Sequence, residues 1–408
     1  MPIWLMIQID RWLGGLFLNL LTPLASWRRR APVKIHPGFG PNPPSHHATS
    51  QIDQGAWSPR VIVVSKYLGI GSIILSVPLV RQLRTHFSSA RLVFLSFSPN
   101  QKLLTFLPWV DEILCIRPSI LWFVFDTLRA LHRLRRLRVD LFLDLESYSR
   151  YTALMSVGSG ATVRVGFHTV SLPDRGRLFT HRVYWNPYRH VLDNYLALGG
   201  IIGLPADPDR RLTLRQLRAA EERRGLAWLR RRGLAPGHYI LFATVSDSVR
   251  VLNAYPHDQW LQLAEALYRQ TALPIVVIGA HADPQWGPHG EARREYVHNL
   301  TGKTSFTALL VIVKHAAYLV SVDTGIAHLA AVFQVPALTL FGPDTPQLYA
   351  PLNSNGQIMY AGLHCSPCVN LLEGKRSDCQ DNVCLNRWSP EELCRRVLKE
   401  FAQARSVP

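Results

Sequence analysis

Short β-branched runs that alternate with longer helical stretches constrain this chain most. RVIVVS (60–65), RLVFLSF (91–97), EILCI (112–116), DLFLDL (140–145) and VRVGF (163–167) are five such runs. YILFAT (239–244), PIVVIG (274–279), YLVSV (318–322) and PALTLF (336–341) repeat the pattern later. Each run is too short and too β-branched for a helix, and too uniformly apolar for a strand with one wet face. Strands of this kind are buried on both sides, in a parallel sheet covered by the intervening helices. The pattern runs twice, so the chain predicts two successive doubly wound α/β domains. In such sheets ligands bind at the carboxyl ends of the strands, here in a cleft between the domains. Helices are predicted over Ile73–Phe87 and Ile120–Leu137, and an arginine-rich one over 210–233 between the two halves.

The predicted domains are 60–212 and 213–408. Before them, residues 32–59 are rich in Pro, Gly, Ser and His and read as a flexible linker. Residues 12–27 are almost wholly apolar and are followed by Arg28, Arg29 and Arg30. This stretch falls short of the ~20 residues that span a bilayer as a helix. Its positive charges follow the apolar run, the reverse of an export signal. Residues 1–31 therefore read as an amphipathic segment at a membrane surface, its arginines on anionic head groups, or as a helix packed on the protein itself.

The chain carries 45 Lys+Arg against 28 Asp+Glu, a net charge of +17. This favours anionic partners. No zinc-finger, RNP-type or basic-zipper pattern is present, which argues against nucleic acid and for phosphorylated sugars or an anionic membrane. Arg129, His132, Arg133, Arg135, Arg136 and Arg138 crowd one helix that either faces such a partner or is simply solvated. Five of the six cysteines lie between 365 and 394. That crowding does not fit a secreted disulfide scaffold, and no export signal is evident, so a reducing cytoplasm is expected. Cys365, Cys368, Cys379 and Cys384 form a C-x₂-C-x₁₀-C-x₄-C pattern that could hold a structural zinc; reduced thiols or a local disulfide are the alternatives.

After the strand YLVSV come Asp323-Thr324-Gly325-Ile326-Ala327-His328. A helix that begins near Gly325 presents unpaired N–H groups and a positive dipole end to an anion. Gly325 permits close approach of a phosphate. Thr324 and His328 add side-chain donors. The bland alternative is a capped strand–helix junction.

VDTGIAHLAA followed by VPALTLFGP resembles glycosyltransferase family 9, the lipopolysaccharide heptosyltransferases. GLHCSPC (362–368), residues 66–95 and DLFLDLESYSRYTAL with VRVGF are similar to the same family. The resemblance implies the GT-B fold of two Rossmann-like domains. It also implies an inverting transfer from a nucleotide-diphosphate sugar, typically ADP-heptose, to a lipid-linked phosphorylated saccharide of the lipopolysaccharide core or a related surface glycan. No metal cofactor is implied for catalysis, and the place of action would be the inner face of the inner membrane. Asp323, Thr324, Gly325 and His328 match the donor motif. Asp283 falls near the ribose-binding acid, or is a plain loop carboxylate. Gly69 and Gly71 belong to the acceptor-side loop; Arg164 and His168, near the end of the fifth strand VRVGF, are further acceptor candidates.

Two positions depart from the family. Ser72 stands where an aspartate base is expected, and a serine needs another group to activate it; a lost base costs ~10²–10⁴-fold in rate. Asn253-Ala254-Tyr255-Pro256 replaces a basic pair before Trp-Pro, with Arg250 nearby as a substitute. Three readings follow: Asp144 or Glu146 serves as the base, the acceptor is acidic enough to need none, or the protein binds without catalysing. A dinucleotide oxidoreductase is disfavoured, because only Gly69-x-Gly71 follows the first strand. An epimerase of GT-B type lacks placeable acid and base carboxylates.

Overall fold

The computed structural model describes residues 34–36, 57–169, 171–205, 209–244, 255–286, 295–369, 377 and 379–406. The apolar stretch 12–27, Arg250 and Asn253 lie outside them. The described residues form two compact units, one up to Arg215 and one from Gln216 onward.

The first unit holds β1 (Lys34–His36), β2 (Val61–Ser65), β3 (Arg91–Phe97), β4 (Glu112–Ile116), β5 (Leu141–Asp144), β6 (Val163–His168) and β7 (His181–Tyr184). They make one parallel sheet in the order β1-β7-β6-β5-β2-β3-β4. β1 lies inside the stretch expected to be linker and pairs with β7 from Lys34↔His181 to His36↔Val183. That part of the linker expectation is corrected: an edge strand needs only one neighbour, and three residues of KIH suffice for it. Its side of the sheet was not legible, because its partner β7 (HRVY) lacks the apolar run that marks the central strands.

The second unit holds β8 (Ile240–Ala243), β9 (Ile275–Ile278), β10 (Val297–Asn299), β11 (Tyr318–Val322), β12 (Ala337–Phe341) and β13 (Gly356–Tyr360). Their order is β10-β9-β8-β11-β12-β13, again all parallel. Leaving aside β1, the two sheets share one pattern: the first three strands of each unit run one way from the centre and the next three run the other. Connections therefore leave in opposite directions from β2/β5 and from β8/β11. At such switch points the carboxyl ends of the strands open a crevice.

β8, β9, β11 and β12 are buried along their whole length. This agrees with the runs that predicted them. The partly exposed β7, β10 and β13 were missed: β10 and β13 are edge strands, which need no continuous apolar run, and β7 has only the three-residue β1 on its outer side.

The helix expected over Ile73–Phe87 is two helices, Ile70–Leu75 and Val77–His86. Pro78 has no N–H to bond a carbonyl of the preceding turn, so the first helix ends and the second starts with proline in its first turn. The arginine-rich helix is shorter than expected, Ala219–Arg230. Residues before it are held extended on the first unit: Arg81 donates to the carbonyls of Asp209 and Arg211, and Arg215 donates its N–H to Phe106 and stacks on that ring. Glu221 accepts from the Arg218 N–H and starts the helix there.

Gly166 on β6 packs against Phe179; a Cβ there would lie 2.3 Å from the ring. Overpacking of this kind costs ~1–3 kcal/mol. Gly166→Ala is expected to lower the unfolding free energy by that amount, measured by chemical unfolding; an unchanged unfolding free energy would mean that the Phe179 ring is not fixed.

Candidate donor and acceptor sites

The candidate donor site of the sequence lies at the switch point of the second unit. β11 ends at Val322, and the Asp323 N–H still bonds the Leu340 carbonyl at 3.0 Å, so the turn begins from a fixed sheet edge. Thr324 is extended, and its hydroxyl accepts from the Ile326 N–H at 3.3 Å, capping the helix Gly325–Phe333. Ala327, Ala330 and Ala331 are buried; their small side chains let this helix lie close on the sheet. Asp323 to Ile326 remain partly exposed, whereas His328, one turn in, is buried. A helix N-terminus thus opens at the carboxyl end of the central strands, with Gly325 at its mouth and no Cβ to bar an anion. The structure places Asp323, Thr324 and Gly325 at the partly exposed helix end and the His328 side chain buried one turn in.

Sequence reading missed two neighbours. Thr244 follows β8, and Ser321 on β11 pairs with Ala243. Both are buried, and their hydroxyls have no hydrogen-bond partner among the described residues. Unpaired buried hydroxyls are costly and uncommon. The signal was available: Thr244 is the last residue of YILFAT, the one polar group at the end of an apolar strand.

Asp283 lies in the turn after β9, beside β8. Its N–H donates to the Thr301 hydroxyl at 2.9 Å, and its carboxylate accepts from the Gln285 N–H at 3.0 Å. Gly302, at φ +68°, packs against this turn; a Cβ would lie 2.7 Å from the Ala282 nitrogen. The carboxylate is therefore held at the carboxyl edge of the sheet and remains partly exposed.

The cysteine segment packs on the end of β12. Ser366 donates to the Gly342 carbonyl at 2.6 Å, and a Cβ on Gly342 would strike Leu385 and Cys384. Burial, with Cys368 and Cys379 nearby, pushes the Cys384 thiol up to about 11. Cys365 is exposed, Ser377 donates to Cys368 at 3.1 Å, and Cys379 points at Asp381. Among the described residues no three His, Cys, Asp or Glu side chains are arranged to hold a metal ion.

The first unit places Ser72 in the short helix after Gly69, whose φ of +83° needs glycine. Gly71 is buried, and Ser72 is partly exposed. Ser72 hydrogen-bonds the buried Tyr195 phenol, whose ionisation is disfavoured by burial and by Glu146. A hydroxyl bonded to a neutral phenol is no base.

Asp144 and Glu146, expected as alternative bases, are internal. Asp144 is sealed from solvent. It accepts from Ser65 at 3.0 Å and Thr152 at 2.6 Å, and pairs with Arg175 at 2.7 Å. Burial raises its pKa despite Arg175. Arg175 also donates to the carbonyls of Glu146, Ser149 and Phe167. Glu146 is buried too, which alone would raise its pKa. Lys66, at 2.8 Å, and the N–H groups of Tyr67 and Leu68 more than offset that and lower it. The two carboxylates tie the carboxyl end of β5 to β2 and to the loop 66–68. They are structural, and the expectation of a base there is corrected.

Arg164 is also corrected. It lies at the amino end of β6, away from the crevice, and donates to the Leu178 and Ala161 carbonyls. His168 ends β6 at the expected edge, against Tyr184. Burial, then the charges of Arg182 and Arg175, lower its pKa and so favour the neutral imidazole.

Two doubly wound units, each with its own switch point, define the chain as an α/β protein of the GT-B fold. The model of Glycosyltransferase family 9 (heptosyltransferase) matches residues 127–375, and the chain belongs to that family. Lipooligosaccharide heptosyltransferase 2 of Haemophilus influenzae is 30% identical over 110 residues, 26% of this chain and 32% of that protein. The chain thus spans about a third of that curated relative's length. The solved ADP-heptose lipopolysaccharide heptosyltransferase II of Escherichia coli aligns with a TM-score of 0.67 at 18% identity, covering 85% of this chain and 100% of that one. Escherichia coli heptosyltransferase WaaC, solved with ADP, aligns with a TM-score of 0.62 at 15% identity, over 83% and 99%.

Arg175 neutralises a fully buried carboxylate. Removing one partner of such a pair costs ~3–5 kcal/mol. Arg175→Ala is expected to destabilise the first unit by that amount in chemical denaturation, with Asp144→Asn on the same background recovering part of the loss. No recovery would contradict an Asp144–Arg175 pair.

Proposed function

We propose that the protein is an inverting glycosyltransferase that takes a heptose from ADP-heptose. The acceptor is a lipid-linked, phosphorylated saccharide of the lipopolysaccharide core or a related glycan, met at the inner face of the inner membrane. The observation that carries this reading is the Thr324-capped helix N-terminus at the β8/β11 switch point, in a family 9 chain whose structural neighbour WaaC was solved with ADP. The donor's diphosphate sits on the Gly325 end of the helix, with Thr324 and His328 donating to its oxygens. Negative charge grows on the diphosphate as the glycosidic bond breaks. N–H groups and a helix dipole aimed there stabilise it without reorganising. Asp283 accepts from the ribose hydroxyls. Arg250, from its place in the sequence, supplies a cation to the diphosphate. Gly69, Gly71 and His168 lie on the acceptor side. On this reading no metal ion takes part in transfer, so a chelator is expected to leave the rate unchanged.

A second reading is favoured by the Ser72–Tyr195 bond and by the two committed carboxylates: the chain binds donor but does not transfer. Incubation with ADP-heptose and a heptose-deficient lipopolysaccharide separates the two. Product formation supports transfer; donor binding without product or hydrolysis supports binding alone.

Losing a hydrogen bond to a charged group costs ~1.5–3 kcal/mol, about 10- to 100-fold in affinity. His328→Ala is expected to weaken ADP binding in that range by calorimetry while the fold persists. Equal affinity in the variant would remove His328 from the donor site. Ser72→Asp restores the family's carboxylate and is expected to raise kcat by ~10²-fold or more, with donor affinity unchanged. An unchanged kcat would mean that a missing base does not limit this enzyme.

A further inference from the structure

The helix Ile120–Leu137 carries two apolar stripes. Ala130 and Leu134 are buried in the core of the first unit, with Phe123, Leu131 and Leu137 packed against it. Leu121, Val124, Phe125 and Leu128, spaced i, i+3, i+4 and i+7, point the other way. With Trp122 they are 48–85% exposed. Half of the ten exposed large apolar side chains among the described residues thus sit within eight positions of one helix. That makes a patch, and patches of this kind mark interaction surfaces. Trp122 packs edge-on against Phe125 at 6.0 Å, and Arg117 lies 3.8 Å over the Trp122 ring. Arg117 is itself neutralised by a two-pronged bond to Asp126.

The same outward stripe continues one turn at a time as Arg129, His132 and Arg136, all exposed. Arg129 and Arg136 make no hydrogen bond or ion pair among the described residues, unlike Arg133, which pairs with Glu112. The face is therefore apolar over its first half and cationic over its second. At 1.5 Å per residue it runs roughly 22 Å from Leu121 to Arg136. A helix of this make-up lies in a bilayer interface, apolar side chains at the acyl boundary and arginines on anionic head groups. Charge argues against the other occupants. A second copy packed antiparallel would set Arg129 and Arg136 against its apolar half and desolvate them. The chain's own segment 12–27 would either bring Arg28, Arg29 and Arg30 towards them or, laid the other way, set them against its apolar side chains.

We propose that this face, Leu121 to Arg136, docks the protein on an anionic lipid surface. The inference rests on the membrane-peripheral reading above and names the surface that performs it.

The test is flotation of the full chain with vesicles of phosphatidylcholine containing one third phosphatidylglycerol, and with phosphatidylcholine alone. The wild type is expected to float with the anionic vesicles. Leu121→Asp with Phe125→Asp should bind at least about tenfold more weakly. Arg129→Glu with Arg136→Glu should bind about 30-fold more weakly. All four side chains are exposed, so the thermal midpoint should hold in both variants. Benzoylphenylalanine in place of Phe125 should crosslink to lipid, and the same probe in place of Tyr268 should not. If the wild type floats but both double variants float equally and the Phe125 probe takes no lipid, the docking face is wrong and the membrane reading stands. Crosslinks from position 125 to a second copy, or to residues 12–27, likewise overturn the lipid assignment. If the wild type floats with neither vesicle, the membrane reading fails and this inference with it.

Discussion

Everything in this molecule depends on where two parallel sheets change direction. In each unit the first three strands run one way from the centre and the next three the other, so helices leave the central pair of strand ends in opposite directions. The gap that results is lined by backbone ends and by whichever short side chains follow the strands. The two units fill it differently. In the first, Asp144, Glu146, Lys66 and Arg175 occupy it with a closed charge network. In the second, Thr244, Ser321 and the Thr324–Gly325 turn line it with small polar groups beside Asp323. One gap is filled by a closed charge network, and the other is lined by small polar groups at a helix N-terminus.

This difference explains how a chain with family-like ends of strands departs from its family at the base position. Ser72 faces Tyr195, and the carboxylates near that phenol are held by cations and backbone N–H groups. Freeing either carboxylate to take a proton would leave Arg175 or Lys66 buried and unpaired, at a cost of several kcal/mol. The catalytic question is thus one of local electrostatics in the first unit. Donor recognition, as proposed above, is a matter of backbone geometry in the second.

The fold was legible wherever strands are central, because burial on both faces writes a continuous apolar run into the sequence. β11 and β12 are such strands, and the Asp323–His328 turn between them was found for the same reason. Edge strands such as β1 and β10 were not legible, since one neighbour and one covered face leave little pattern. Arg164 was misplaced by a few residues along β6, enough to move it from the carboxyl to the amino end of the sheet. Asp144 and Glu146 were correctly put at the carboxyl end of a strand, but their partners come from 66–68 and from Arg175, distant in sequence. No spacing rule could reveal that they were already satisfied. Thr244 and Ser321 went unnoticed because a hydroxyl declares itself only when its neighbours fail to bond it.

The central claim is that a donor diphosphate binds at the N-terminus of the helix Gly325–Phe333. The position of ADP in a crystal of the complex tests it most directly. The account predicts phosphate oxygens within ~3 Å of the Thr324 hydroxyl and the Gly325 N–H. A diphosphate bound elsewhere, with that helix end left to water, would contradict it.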